Sequence, residues 1–180
     1  MDIYKIKFTV LQLEIFRLFC IKTGARLNQR QVAKLLHVTP TAIAKALPLL
    51  EKEKIIKVTR GSTKVNFVEL ARDVHKTLEL KKAENFKILI ESELPSYLEE
   101  SFPSCTIILF GSYAKGDDVS TSDIDIAVIG GKEKDVNLNQ FEKKLEKEIR
   151  INYYSSLKEI NPHLRSNILN GIILSGGIEL

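Results

Sequence analysis

Residues 106–129 decide the reading: Thr106-Ile107-Ile108-Leu109-Phe110, then Gly111-Ser112-Tyr113-Ala114-Lys115-Gly116, then Asp117-Asp118-Val119-Ser120-Thr121-Ser122, then Asp123-Ile124-Asp125-Ile126-Ala127-Val128-Ile129. The first run is short and apolar, as a buried strand is. The last is a second strand, ended by Gly130-Gly131. Successive side chains on a strand point to opposite faces. Asp123 and Asp125 therefore share one face, while Ile124 and Ile126 turn to the other and anchor the strand in a core. Two carboxylates side by side repel and cost stability without a counter-charge, which a divalent cation with oxygen ligands supplies. Gly111-Ser112 follows directly on the first strand. Glycine lets a phosphate approach the backbone, and the N–H groups of the turn with the Ser112 hydroxyl suit phosphate oxygens. Asp117 and Asp118 read as loop or cap residues, not ligands.

Strand, Gly-Ser, a spacer over residues 113–122 and Asp-x-Asp on the next strand together resemble the minimal nucleotidyltransferases of the DNA polymerase β superfamily, over roughly residues 80–180. The resemblance implies that Gly111 and Ser112 bind the triphosphate of an incoming nucleoside triphosphate, with ATP as the expected one. It implies that Asp123 and Asp125 hold one or two Mg²⁺ ions, and that a nucleoside monophosphate passes to an acceptor as pyrophosphate leaves. Lys115 either assists the phosphates or is a solvent-exposed loop lysine. The family also uses a third carboxylate on a later strand. Here a helix with Leu138, Phe141, Leu145 and Ile149 inward precedes Arg150-Ile151-Asn152-Tyr153-Tyr154-Ser155, the expected later strand. Ile151-Asn152-Tyr153 stands where the family shows apolar-Asp-apolar. Asn152 thereby joins the catalytic set as a neutral replacement: its carbonyl can ligate a metal, but it brings no charge and takes no proton. It reads equally as an ordinary hydrogen-bonding strand residue. The spacing of Glu148 and Glu159 gives no support to either as a substitute. Small members of the family are often paired with helical HEPN-type toxins, which they modify or neutralise, so the resemblance also implies a protein acceptor and an antitoxin-like role.

Upstream the chemistry changes sign. The 180-residue chain carries a net charge of +4, but residues 1–78 hold 15 Lys+Arg against 6 Asp+Glu (+9), and residues 79–180 hold 12 against 17 (−5). A basic half before an acidic half suggests two modules with different partners. Thr9 caps a first helix with Leu11, Ile15, Leu18 and Phe19 on one face, and Gly24 fits its stop. Asn28 caps a second with Val32, Leu35 and Leu36 inward. Thr39-Pro40 opens a third, with Ile43, Leu47 and Leu50 as its buried stripe. At 100° per residue Thr41, Lys45, Pro48 and Lys52 fall opposite that stripe. Pro48 removes a backbone donor, so a kink or an early end is expected there. Ile55–Thr59 and Lys64–Val68 flank a Gly-containing turn and read as a hairpin with Arg60 and Lys64 at its tip. Three helices followed by a basic hairpin resemble the winged-helix DNA-binding domains, over roughly residues 5–70. That resemblance implies contact with double-stranded DNA through Thr41, Lys45, Lys52, Arg60 and Lys64. Winged helices also serve as protein–protein modules. Winged-helix regulators often pair as homodimers, and no heptad or exposed apolar stripe settles the point here.

The expected architecture is α+β: a winged helix-turn-helix domain at 1–72, then a small α/β nucleotidyltransferase domain with a mixed sheet at 73–180, joined by a stiff helix that Pro95 ends. No window approaches the ~18 uninterrupted apolar residues of a membrane helix. The N-terminal MDIYKIKF has no secretory pattern. Cys20 and Cys105 read as buried thiols in a reducing cytoplasm, and His37, His75 and His163 lack partners at metal-ligand spacing. Three functions stay open: a Mg²⁺-dependent nucleotidyltransferase tethered to DNA, a DNA-binding regulator whose second domain keeps the fold without turnover, and a protein-interaction module that uses no nucleotide.

Overall fold

The computed structural model describes residues 7–61 and 65–178. The chain divides into two compact units, Met1–Thr77 and Leu78–Leu180. The division falls a few residues beyond the 72/73 boundary expected from sequence. Among the described residues no helix is long and apolar enough to cross a membrane. Cys20 and Cys105 are both buried free thiols.

In the first unit Thr9 caps α1 (Val10–Ile21) and Gln12 closes the capping box. The buried stripe is Gln12, Ile15, Phe16, Phe19 and Cys20. It is rotated from the expected one, and Leu11 and Leu18 are only half-buried. A buried glutamine inside that stripe is satisfied: its Oε1 accepts from Thr9 N, and its Nε2 donates to the Ala46 carbonyl at 3.1 Å. β1 (Leu27–Asn28) leads into α2 (Gln29–Leu35), whose N-terminus Asn28 caps. α2 buries Val32 and Ala33, whereas Leu35, expected inward, is 45% exposed.

Thr39 accepts from Ala42 N to cap α3 (Pro40–Lys52), with Pro40 in the first turn. The helix buries Ile43, Ala46, Leu47 and Leu50. It does not end at Pro48 but continues to Lys52. Pro48 and Ala44, whose carbonyl loses its helical partner, both lie on the exposed side, where solvent can reach the orphan group. β2 (Ile56–Arg60) and β3 (Asn66–Leu70) pair antiparallel from Ile56↔Leu70 to Arg60↔Asn66. The second strand of the hairpin excludes Val65, which the sequence reading includes, and Lys64 lies outside the described residues. β1 joins the far side of β3, giving the order β1-β3-β2. Helix, strand, two helices and a two-stranded wing make this unit a winged helix.

α4 (His75–Glu91) runs across the division. The break after it comes at Ser92-Glu93, with Glu93 at φ 69, and not at Pro95. Pro95 lies in the first turn of α5 (Leu94–Ser101), where a missing N–H costs no helical bond. β4 (Thr106–Phe110), α6 (Gly111–Lys115), β5 (Ile124–Ile129), α7 (Asn139–Leu145), β6 (Ile149–Tyr154), α8 (Pro162–Leu169) and β7 (Ile172–Ser175) follow. Ile149, read as the last inward residue of a helix, opens β6 instead. The strands order β6-β5-β4-β7, with β5 parallel to β6 and the other pairs antiparallel, so the sheet is mixed. One face carries Ile108, Phe110 and Ala127, packed against Ile160 and Ile168 of the α8 region. Ile107, Leu109, Ile124, Ile126 and Val128 alternate onto the other face and are wholly buried.

Candidate functional site

The Gly-Ser turn and the Asp-x-Asp strand meet because β4 and β5 are neighbours in register, with Phe110 opposite Asp125. The chain leaves β4 through Gly111, at φ +76, a conformation that L side chains rarely adopt. A Cβ at Gly111 would overlap the Asp125 carboxylate. Glycine is therefore required twice, by its backbone angle and by the carboxylate pressed against it. Ser112 follows in the first turn of α6, half-buried. Gly116, at φ +78, closes α6, and a side chain there would strike the backbone of Leu78 and Lys82 in α4.

Asp125 lies on the face that α8 partly covers, beside Phe110 and one repeat from Ala127. Burial, and next the neighbouring Asp123 charge, push its carboxyl above the usual carboxylate range, while Arg150 pulls the other way. Such a pair needs a counter-charge. Arg150 provides one: Asp125↔Arg150 is a registered pair of β5 and β6, and Arg150 Nη1 is 2.9 Å from Asp123 Oδ2. Arg150 Nε also reaches Glu148 Oε1 at 3.4 Å. The position abreast of Asp125 thus holds an arginine, which the sequence reading passed over because only the strand register reveals it. Asn152 is on the same face, abreast of Ala127. It is the diagonal neighbour of Asp125, offset by about 7 Å along the strand, and its Nδ2 lies 3.5 Å from the Ile126 carbonyl. Lys115 is exposed and donates to Asn167 Oδ1 of α8 at 2.7 Å.

Asp118 lies in a loop, as its position in the spacer implies, but the loop is tied inward there. The residue is buried at 1% exposure among Lys81, Asn85 and Lys147. Its Oδ1 accepts from Lys81 Nζ, and from Asn85 Nδ2 at 2.7 Å. Its Oδ2 makes no hydrogen bond of good geometry and is met by Lys147 Nζ 3.2 Å away. Lys147 further donates to the carbonyls of Val119 (2.5 Å) and Ser122 (3.2 Å), immediately before Asp123. Asn85 donates to the Tyr113 carbonyl at 3.0 Å, and Tyr113 returns its hydroxyl to the Asn85 carbonyl at 3.1 Å. One buried carboxylate thereby ties α4, α6, the spacer and the entrance to β6 together, just behind the Gly-Ser turn and the Asp pair.

Among the described residues no three His, Cys, Asp or Glu side chains gather so as to hold a metal ion. Asp123 and Asp125 fit a different mode, in which Mg²⁺ keeps its waters and is bound through one or two carboxylates together with substrate phosphates. The raised Asp125 carboxyl and the repulsion behind it are what such an ion would relieve.

In the winged helix Thr41, Lys45 and Lys52 of α3 and Arg60 at the end of β2 are exposed. Lys64 lies outside the described residues. Other cations of this unit are already engaged. Arg26 donates to Thr59 Oγ1 at 3.0 Å, approaches Glu69 at 3.9 Å and sits 5.7 Å over the Phe67 ring centre. Lys57 pairs with Asp73 at 2.7 Å, and that bond draws the Asp73 carboxyl below its ordinary value.

Residues 92–178 match the family model described as polymerase beta, nucleotidyltransferase. No curated protein matches the chain significantly. Among solved structures, a single-substitution mutant of Lactococcus lactis ZitR is similar at TM-score 0.41 and 21% identity, over 57% of this chain and 67% of that one. The adhesin competence repressor of Streptococcus pyogenes is similar at TM-score 0.43 and 20% identity, over 57% and 72%. The MepR–DNA complex of Staphylococcus aureus is similar at TM-score 0.40 and 21% identity, over 52% and 74%.

Proposed function

We propose that the second unit binds a Mg²⁺–nucleoside triphosphate, ATP being the first to try, and transfers its nucleoside monophosphate to an acceptor, while the winged helix holds double-stranded DNA. The observation that carries this reading is the contact of Gly111 with the Asp125 carboxylate. It sets the Gly-Ser turn against a carboxylate pair within a segment that matches the nucleotidyltransferase family model. In this reading the backbone N–H groups at Gly111 and Ser112 and the Ser112 hydroxyl orient the polyphosphate. Asp123 and Asp125 hold the cation. When bound, Mg²⁺ supplies charge neutralisation of the phosphates and polarisation of the reacting phosphorus. A bond forms from the acceptor oxygen to the α-phosphorus, the bond from that phosphorus to the bridging oxygen breaks, and pyrophosphate leaves. Asn152 orients by hydrogen bonding and takes no proton, so the acceptor proton leaves by way of solvent. A HEPN-type toxin is the protein acceptor to try first.

A second reading is favoured by one observation: Arg150, not a carboxylate, stands abreast of Asp125. In it the domain senses nucleotide for a DNA-binding regulator and turns over slowly or not at all, since general-base help alone is typically worth about 10²–10⁴-fold. Calorimetry of the full chain with Mg²⁺ and a non-hydrolysable triphosphate tests what both readings share. Asp123→Asn with Asp125→Asn is expected to abolish binding, and unchanged affinity would remove both. Label transfer from α-labelled ATP, CTP, GTP and UTP then separates them.

A further inference from the structure

Arg150 does more than balance charge. Its guanidinium touches Asp123 Oδ2 and reaches Glu148 Oε1, and its backbone stands abreast of Asp125. Its side chain is 57% exposed and that of Asp123 25%. An ion pair at that exposure is weak, so Arg150 is readily given up to a stronger partner. We propose that Arg150 is the resident counter-charge of the Asp123–Asp125 pair, and that it makes the site select a divalent cation carried by a polyphosphate over the free cation. The proposal rests on the nucleotide reading above.

With Arg150 in place the pair presents less negative charge to a free divalent cation than two bare carboxylates would. Mg²⁺ in particular dehydrates reluctantly and gains little from such a site. A nucleotide brings oxyanions with the cation. The planar fork of an arginine matches phosphate oxygens through paired hydrogen bonds, so Arg150 can leave Asp123 without being stranded. Asn152, uncharged and one repeat further on, restores none of the negative charge that a third carboxylate would add. A lone cation is therefore disfavoured and a cation–nucleotide complex is not.

The test uses the full chain, wild type against Arg150→Met and Arg150→Gln, each checked for an unchanged melting curve. The half-exposed position accommodates both replacements without repacking the core. Free-cation affinity is read from the electron spin resonance of Mn²⁺, and complex affinity from calorimetry with Mg²⁺ and a non-hydrolysable ATP analogue. Removing a unit charge a few ångströms from a divalent ion is expected to tighten Mn²⁺ binding about tenfold, while affinity for the Mg²⁺–nucleotide complex falls. Mn²⁺ affinity unchanged in both variants overturns the counter-charge. Nucleotide affinity that rises in step with Mn²⁺ overturns the selection. If no form binds nucleotide, the underlying reading fails and selection with it; that failure is recognised because the Mn²⁺ ratio between wild type and variants still reports whether Arg150 screens the pair.

Discussion

Asp123 and Asp125 share a face but not an environment. Asp123 has Arg150 at 2.9 Å. Asp125 is pressed against Gly111, is more constrained, and has its carboxyl raised first by burial and then by Asp123. A carboxyl raised in the folded state binds its proton more tightly there than in the unfolded chain. Its favourable contribution is complete below the unfolded value, near 3.9, and is lost as pH rises through the folded value. At pH 7 the ionised Asp125 therefore costs stability. Asp125→Asn is expected to raise the melting temperature of the cation-free chain at pH 7 by about 1–2 °C. The gain should shrink as the pH is lowered into the carboxylate range. Asp123→Asn gives up the pair with the exposed Arg150 but also relieves the charge that raises Asp125, and is expected to shift stability by less than about 0.5 kcal/mol. Scanning calorimetry of both variants in chelator, at pH 7 and near pH 4, checks this. An Asp125→Asn chain that melts below wild type at pH 7 would show that the carboxylate is held by more than it repels.

The segment between α6 and β5, residues 116–123, has no helix or strand of its own, yet it is anchored by the buried carboxylate of Asp118. Asp118 offsets two buried ammonium groups, and removing one partner of a buried ionic cluster leaves charge uncompensated at a cost of about 3–5 kcal/mol. Asp118→Asn is expected to lower the unfolding free energy of the second unit by that amount, seen as a lower urea midpoint with little change in slope. Adding Lys81→Met should recover much of the loss, because Lys147 keeps the Val119 and Ser122 carbonyls. A double variant no better than the single would show that Asp118 does not act through Lys81. This cluster also shows where sequence reading stops. Lys81 and Lys147 are 37 and 29 positions from Asp118, so nothing local marks it. By contrast α3 was legible, because Thr39-Pro40 and the stripe Ile43, Leu47, Leu50 are all local signals. The early end weighed for Pro48 and the break placed at Pro95 do not occur, for one reason: the cost of a proline depends on where its orphan carbonyl or missing N–H faces, which the residue name does not carry. β1 is two residues long and is a strand only through its pairing with β3. Asp-x-Asp on one face followed from the two-residue period of a strand, whereas Arg150 beside it needed the β5–β6 register.

Across the whole chain the charge is divided as its two units are: +9 over residues 1–78 and −5 over residues 79–180 (15 Lys+Arg against 6 Asp+Glu, and 12 against 17). Net charge alone does not measure what is free to meet a phosphate backbone. In the winged helix Arg26 is spent on Thr59, Glu69 and the Phe67 ring, and Lys57 on Asp73. Lys45 and Lys52 on α3 and Arg60 on β2 are exposed along the elements that such a domain presents to a groove. With about four phosphate contacts, the affinity of the full chain for duplex DNA should fall with salt at a slope of about −3.6 on logarithmic axes. Lys45→Ala and Arg60→Ala should each weaken binding and flatten that slope by about 0.9. Lys57→Ala, whose charge Asp73 already offsets, should leave the slope nearly unchanged. Fluorescence anisotropy with a labelled duplex across a salt series reads all three. Equal effects of the three substitutions would mean that bulk charge, not a defined face, draws the DNA. Absence of any salt-dependent binding at low ionic strength would remove DNA as the partner of the winged helix and leave that domain as a protein-binding module.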